Sequence, residues 1–258
     1  MNYFGILFIY FFSFFESSRS FSPNYNEDIA KKSVYFAQMT YCIPPEECQN
    51  CIVDYEVENY GSKAIMGYDN DTRTIFTAFR GSSNAHNWFE NLQVSHVTPY
   101  VDQSLAVEQG FYKAYEYIKS EIFEKLDILS AKYHTNELLL TGHSLGAGLC
   151  TLFAYDLTKT EYEVQHFYNF GSPRVGNAAF VKDFDSKING FRVVHNNDIV
   201  ASVPPRAFDY AHITQGVCYD ESNIFYILCG DESCGASLCS SSDHMNYLNV
   251  TIGSDGCE

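Results

Sequence analysis

The stretch from Glu137 to Thr158 constrains this chain more than any other. Leu138-Leu139-Leu140 reads as a strand buried on both faces, and Leu145 to Thr158 follows as a proline-free apolar helical run. Between them stands only Thr141-Gly142-His143-Ser144-Leu145-Gly146. A strand that passes into a helix with no loop must reverse within the turn itself. The residue at the bend then takes a strained backbone conformation, and its neighbours must be small for strand and helix to pack. Gly142 and Gly146 meet that demand, with Ser144 at the bend. The same bend sets Ser144 at a helix N-terminus, where the Leu145 N–H points at developing negative charge. A serine so placed is a candidate nucleophile. It still needs a base to take its proton and an acid to orient that base.

The surroundings suit such an elbow. Asn26 to Tyr41 reads as a helix, and Pro44-Pro45 breaks it. Ala64–Tyr68 and Thr74–Phe79 read as a strand hairpin about Asp69-Asn70-Asp71. Val107 to Tyr133 carries Phe111, Tyr115, Ile118, Ile122, Leu126 and Leu129 at helical spacing. Val164–Phe170 is a strand closed by Gly171-Ser172-Pro173, Ala178–Ile188 a helix, and Phe191–His195 a strand. Beyond Pro204-Pro205 the pattern turns irregular and cysteine-rich. Strand and helix alternate through the middle of the chain, which implies parallel pairing with crossover helices. The expected fold is α/β, with a mostly parallel central sheet flanked by helices in a single domain.

Position supplies partners for Ser144. On such a fold the order along the chain is Ser, then Asp or Glu, then His, with the acid just past a later strand. Asp198 lies in the turn Asn196-Asn197-Asp198 after Phe191–His195, and Asp183, Asp185 and Asp209 are its rivals. Downstream of Asp198 only His212 and His244 can serve as base. His244 follows the loop Cys239-Ser240-Ser241-Ser242-Asp243 and precedes Met245-Asn246-Tyr247-Leu248, read as entry to a final helix; position favours it. His212 has the bland alternative of a hydrogen-bonded core histidine. His143 reads as part of the elbow's packing. A second oxyanion donor is expected after an earlier strand, where Arg80-Gly81-Ser82-Ser83 offers the N–H and hydroxyl of Ser82. The segment Asn84 to Leu92 holds the sole Trp, Trp88, beside Phe89 and Leu92. It is either a small core helix or a lid whose apolar face covers a site in water.

Composition excludes some partners and suggests a compartment. With 32 acidic and 16 basic residues the formal charge is -16, which argues against nucleic acid and against docking on anionic membranes through a basic patch. Residues Tyr3 to Phe15 are uncharged and mostly apolar, too short for the roughly 18 residues of a membrane span, and Ser17, Ser18 and Ser20 follow. Residues 1–20 are therefore expected to be a signal peptide, and 21–258 the working domain. All nine cysteines lie beyond the expected cleavage point, which with secretion implies disulfides. Cys48-Gln-Asn-Cys51 lacks a second pair with zinc-ligand spacing. Nine is odd, and Cys150, inside an apolar helical run, is the candidate free thiol.

These blocks together resemble the fungal class 3 lipase family. The matching stretches are Phe79-Arg80-Gly81-Ser82-Ser83 with Asn87-Trp88, Thr141 to Gly146, Gly171-Ser172-Pro173-Arg174-Val175-Gly176-Asn177, Asn197-Asp198-Ile199-Val200 with Pro204-Pro205, and Asp243-His244 with Tyr247. The resemblance runs from about Tyr41 to Cys257. It implies an α/β-hydrolase fold and a secreted serine ester hydrolase, a triacylglycerol lipase, working without metal or organic cofactor. It implies Ser144, Asp198 and His244 as triad, Ser82 and Leu145 as oxyanion hole, and Trp88 and Phe89 in a lid. It favours His244 over His212. The implied partner is a lipid or other ester at an interface, with transient contact to a membrane or lipid-droplet surface, and the protein a monomer. The same fold hosts phospholipases and feruloyl or carboxyl esterases; an inactive secreted lipid-binding protein is the non-enzymatic alternative. The resemblance also implies the pairs Cys42–Cys257 and Cys48–Cys51. For the remaining cysteines Cys229–Cys239 and Cys218–Cys234 are expected.

Overall fold

A computed structural model describes residues 24–42, 48, 50–82, 94–230 and 240–257. The expected leader, the segment with Trp88 and Phe89, and Cys234 and Cys239 lie outside the described residues.

Helix α1 (Glu27–Met39) opens on Asn26, whose side chain accepts from the N–H groups of Asp28 and Ile29. Two strands follow, β1 (Cys51–Asn59) and β2 (Ser62–Asp69), then β3 (Thr74–Phe79). A short ribbon, β4 (His96–Val97) with β5 (Val107–Glu108), leads into α2 (Gln109–Tyr133). Next come β6 (Glu137–His143), α3 (Leu145–Leu157), β7 (Glu163–Phe170), α4 (Ala178–Asp185) and β8 (Phe191–His195). The chain ends with β9 (Gln215–Tyr219), β10 (Tyr226–Cys229), and the two-residue strands β11 (Asn246–Tyr247) and β12 (Val250–Thr251).

The eight-stranded sheet has the order β1-β2-β3-β6-β7-β8-β9-β10. Strands β3, β6, β7, β8 and β9 are parallel, while β1, β2 and β10 are antiparallel additions at the two edges. Both faces are covered, which is why Leu138-Leu139-Leu140 shows no polar alternation. Leu138 and Leu140 pack into the core formed with α2 and α3, while Leu139 joins Phe36 and Met39 of α1 on the opposite face. Helix α3 is buried from Gly146 through Leu157, as expected of a helix apolar on all sides. Helix α2 buries only its stripe of Phe111, Tyr115, Ile118, Ile122, Leu126 and Leu129.

Three features depart from the sequence expectations. Strand β1 is additional; Val53, Tyr55 and Val57 alternate with Asp54, Glu56 and Glu58, but a bulge between Val53 and Tyr55 blurs the period. The region after Pro204-Pro205 is not irregular throughout, since β9 and β10 extend the sheet. Among the described residues no α-helix follows His244: Asn246–Tyr247 pairs with Val250–Thr251 around Leu248 and Asn249, both at positive φ (54° and 65°), and only a short 3-10 turn, Ser254–Gly256, comes after. A tight hairpin turn demands that backbone, and leucine is a residue that rarely signals it.

Cys42–Cys257 and Cys48–Cys51 form as the resemblance implies, and Cys150 is buried and free. The expected Cys218–Cys234 and Cys229–Cys239 pairs fall on Cys234 and Cys239, which lie outside the described residues; the sulfurs of Cys218 and Cys229 lie 2.9 Å apart, and both cysteines are disulfide-bonded. The register explains the closeness of these two sulfurs. Cys218 stands opposite Ile227 and Cys229 opposite Gly216, so the two cysteines are diagonal neighbours on one face of the hairpin. Non-reducing peptide mapping should recover Cys42 joined to Cys257; a Cys257 peptide joined to any other cysteine would contradict that pairing.

Candidate active site

The site gathers at the C-terminal ends of the parallel strands, where open α/β sheets hold their chemistry. Ser144 stands between β6 and α3 with φ 58° and ψ −128°. Holding a serine there costs on the order of 1–3 kcal/mol and needs a surrounding structure that over-determines it. Its N–H is fixed by the carbonyl of Phe170, 3.0 Å away, at the end of β7. Gly146 sets the approach of the next strand: a Cβ there would lie 2.1 Å from the Phe79 carbonyl oxygen and 2.7 Å from the Arg80 carbonyl carbon. The end of β3 thus presses on the first turn of α3, bringing the loop that carries Ser82 beside the helix end that begins with Leu145. The first N–H groups of a helix have no intrahelical acceptor, so Leu145 presents a donor there.

Asp198 is fully buried in the turn after β8. Its Oδ1 accepts from the Val200 N–H at 2.8 Å, and its Oδ2 accepts from His244 Nδ1 at 3.0 Å and from the Tyr247 hydroxyl. Burial alone would push its pKa up, but the His244 charge, the hydrogen bonds from His244 and Tyr247 and the Val200 N–H outweigh it, so the pKa falls below the ordinary value. Gly171 lies flat against this pair. It has φ +54°, and a Cβ would come within 2.8 Å of both Asp198 Oδ2 and His244 Nδ1.

The segment that carries His244 is tied down at several points. Ser240 forms a parallel bridge with Asp198 just past β8, with Ser240 N donating to Asn197 O at 2.8 Å and Ile199 N donating to Ser240 O at 3.2 Å. The Asp243 carboxylate accepts from Asn196 Nδ2 and Asn197 N at 3.0 and 3.1 Å. His143 Nε2 donates to the His244 carbonyl at 2.8 Å, its Nδ1 accepts from the Tyr41 hydroxyl at 2.8 Å, and its ring lies 4.4 Å from that of His244. Burial, with the His244 charge beside it, lowers the His143 pKa to about 3, so this imidazole stays neutral and works as a strut.

Among the described residues, the buried Ser144 Oγ and His244 Nε2 are the two atoms left without a hydrogen-bond partner at this centre. Unpaired buried polar atoms are costly and rare, and here they are a serine hydroxyl and a histidine ring nitrogen, groups whose chemistry suits a nucleophile and its base. The rival residues are engaged elsewhere. Asp183 on α4 accepts from Tyr155 and Lys187, Asp185 accepts from Thr214 N at 2.8 Å, and Asp209 sits in a left-handed turn. His212 is buried with Nε2 on the Ala201 carbonyl at 2.7 Å; burial first, then Arg192 and Arg174, drives its pKa down. A cavity of about 300 Å³ opens beside the site between Ser82, Tyr41 and Arg80 on one side and Met245, Ile252 and Asp255 on the other. Trp88 and Phe89 lie outside the described residues.

Sequence reasoning gave no role to Tyr247, Gly171 or Tyr41. Tyr247 had a signal: a tyrosine in an apolar setting needs a partner for its hydroxyl, and it lies three residues after His244. Gly171 and Tyr41 act through approach and through another side chain, which no spacing reveals.

A parallel sheet carrying a strained serine elbow, with acid and histidine on later loops, defines an α/β-hydrolase fold. The family model "Lipase (class 3)" matches residues 76–208, and the chain belongs to the class 3 lipase family. It is 32% identical over 174 residues to the secreted mono- and diacylglycerol lipase A of Penicillium cyclopium, an alignment covering 66% of this chain and 57% of that protein. The chain thus spans little more than half the length of such relatives. Lipase II from Rhizopus niveus superposes with TM-score 0.81 at 22% identity, over 88% of this chain and 96% of that one. A triacylglycerol lipase described as having a serine protease triad as its catalytic centre superposes with TM-score 0.79 at 25% identity, over 89% of this chain and 97% of that one.

The Asp198 environment sets a pH dependence. Its folded pKa is depressed, so its contribution to stability is full above the unfolded value and is lost as pH falls through the folded one. Tyr247→Phe removes a hydrogen bond to a buried charge, worth about 1.5–3 kcal/mol, and moves the folded pKa upward. Urea unfolding between about pH 3 and pH 7 should show lower stability near neutrality and an acid loss that begins at higher pH than in the parent. Superimposable curves would contradict the role given to the Tyr247 hydroxyl.

Proposed function

We propose that this protein is a secreted serine ester hydrolase acting on long-chain acylglycerols, a triacylglycerol lipase, with Ser144 as nucleophile, His244 as base and Asp198 as its orienting acid. The observation that carries the reading is the pair of buried, partnerless atoms Ser144 Oγ and His244 Nε2, on a histidine whose other nitrogen is bonded to buried Asp198. Secretion is supported by the apolar start of the chain, the disulfides and the secreted Penicillium relative.

The chemistry follows from the placements. Ser144 Oγ attacks the ester carbonyl carbon as His244 Nε2 takes its proton. The oxyanion that forms accepts from the Leu145 N–H and from the N–H and hydroxyl of Ser82; one such donor is worth about 10²–10³ in rate. Asp198 keeps the Nδ1 proton in place and stabilises the imidazolium. The intermediate collapses, His244 returns the proton to the leaving alcohol, and an acyl-Ser144 ester remains. Water attacks it with His244 again as base, releasing the fatty acid and restoring Ser144. The sequence of steps balances without metal or organic cofactor. Both reacting side chains are buried, Ser144 at 0% and His244 at 2% exposure. Substrate therefore reaches them only after the covering surface moves, a change that an apolar phase would favour. In this reading the protein is a monomer that works at a lipid interface, touching a droplet or membrane transiently.

A second reading, partial glycerides as substrate, is favoured by the name of the Penicillium relative. A panel of tri-, di- and monoacylglycerols, phosphatidylcholine and aryl esters decides between them. The expected result is fastest hydrolysis of emulsified triacylglycerol, a rate jump above the solubility limit, and a fall of about 10⁴-fold or more in Ser144→Ala. Unchanged hydrolysis by Ser144→Ala would remove the mechanism; preference for phosphatidylcholine or an aryl ester would remove the substrate class.

A further inference from the structure

The edge strand β10 and the turn before it carry five consecutive apolar or aromatic residues, Ile224-Phe225-Tyr226-Ile227-Leu228, and all are exposed. Phe225 is 73%, Ile227 66% and Leu228 50% exposed. Neighbouring residues of a strand point to opposite faces, so exposure of both Ile227 and Leu228 means that the β10 edge presents apolar groups on both faces. Contiguous apolar exposure of this kind marks an interaction surface.

The hairpin is held in shape. The sulfurs of Cys218 and Cys229 lie 2.9 Å apart at its base, and Tyr226 packs edge-on against Tyr25 with ring centres 4.9 Å apart. In the turn, Asp220 N donates to Phe225 O at 2.9 Å, while the Asp220 carboxylate accepts from Ser222 Oγ and from the N–H groups of Ile224 and Phe225. A preformed apolar tip loses little freedom on docking.

Its position ties it to the reacting centre. The turn follows the C-terminal end of β9, on the same end of the sheet as Asp198. Asn223 donates to His195 Nε2 at 3.0 Å and to Asn246 Oδ1 at 2.9 Å, and its own Oδ1 accepts from Leu248 N at 3.0 Å. His195 in turn meets the Asp243 carbonyl at 3.0 Å, one residue before His244. The apolar tip is thus continuous with the loop that holds the histidine.

Charge selects the occupant. No Lys or Arg occurs after Arg206, and Asp220-Glu221 and Asp231-Glu232 flank the run in the sequence. An anionic membrane would be repelled, and two copies pairing along β10 would bring acidic flanks together. A protein partner would cover one face, whereas a fluid apolar phase wets both. We propose that the β9–β10 hairpin is an interfacial anchor that inserts into an uncharged lipid surface and presents the neighbouring Ser144–His244 centre to it. The proposal rests on the acylglycerol reading for its biological sense, but binding can be measured without turnover.

The test uses triolein droplets coated with phosphatidylcholine and flotation of Ser144→Ala protein, with and without Phe225→Ser, Ile227→Ser and Leu228→Ser. The triple change should lower droplet partitioning on the order of tenfold or more, given the apolar area removed. In the Ser144 background the same triple change should leave turnover of a soluble short-chain ester unchanged. If the triple variant fails to fold, Phe225→Ser alone, at the turn tip, should still weaken partitioning several-fold. Unchanged partitioning would overturn the proposal. So would stronger binding to phosphatidylglycerol vesicles than to the neutral droplets, or a lipid-free dimer that the triple change dissociates. Loss of all ester turnover in the parent would instead strike the acylglycerol reading and leave the flotation result standing.

Discussion

The structure depends on one backbone constraint, the direct passage from β6 into α3 through Ser144 at φ 58°. No soft loop absorbs the bend, so the strain must be held by what surrounds it. The Phe170 carbonyl holds the Ser144 N–H, the end of β3 closes on Gly146, and α3 is buried along nearly its whole length. These contacts come from three adjacent parallel strands, β3, β6 and β7, and they exist only because the sheet order places those strands side by side. Fold and site are in this sense one object: the core that buries α3 also forces a serine hydroxyl to the strand ends.

A second layer of constraint acts on His244. Its ring is held from below by Asp198 and Gly171, from the side by neutral His143, and along the chain by Asp243 and Ser240. Asp198 is the only charged acceptor in this group that is fully buried, and three donors satisfy it. A carboxylate left bare there would neutralise itself; one so supplied stays ionised and, in the mechanism proposed, favours the imidazolium formed when Ser144 gives up its proton. The Cys42–Cys257 bridge joins the end of α1 to the end of the described chain, so Tyr41, which reaches His143, and the strands after His244 share an anchor.

Much of this was legible in the sequence because it rests on short-range pattern. Leu138 to Gly146, the stripe on α2 and the strand before Asp198 each carry their own periodicity, and chain order then restricts acid and base to a few positions. The features that were not legible depend on register or on rare backbone. Val53 and Tyr55 flank a bulge, Leu248 takes a positive φ, and Cys218 meets Cys229 only through the diagonal of an antiparallel pair. The exposed run Ile224 to Leu228 reads like a core strand by composition; only its place at the sheet edge makes it a surface. The roles of Tyr247, Gly171 and His143 follow from approach in three dimensions between segments far apart in the chain.

The central claim is that Ser144 is made nucleophilic by His244, itself oriented by Asp198. Labelling with a long-chain alkyl phosphonate, followed by mass spectrometry of the digested protein, tests that claim most directly. The account predicts one adduct, on Ser144, formed quickly in the parent, slowed by orders of magnitude in Asp198→Asn and absent in His244→Ala. An adduct on another residue, or equal labelling of Ser144 in His244→Ala, would contradict it.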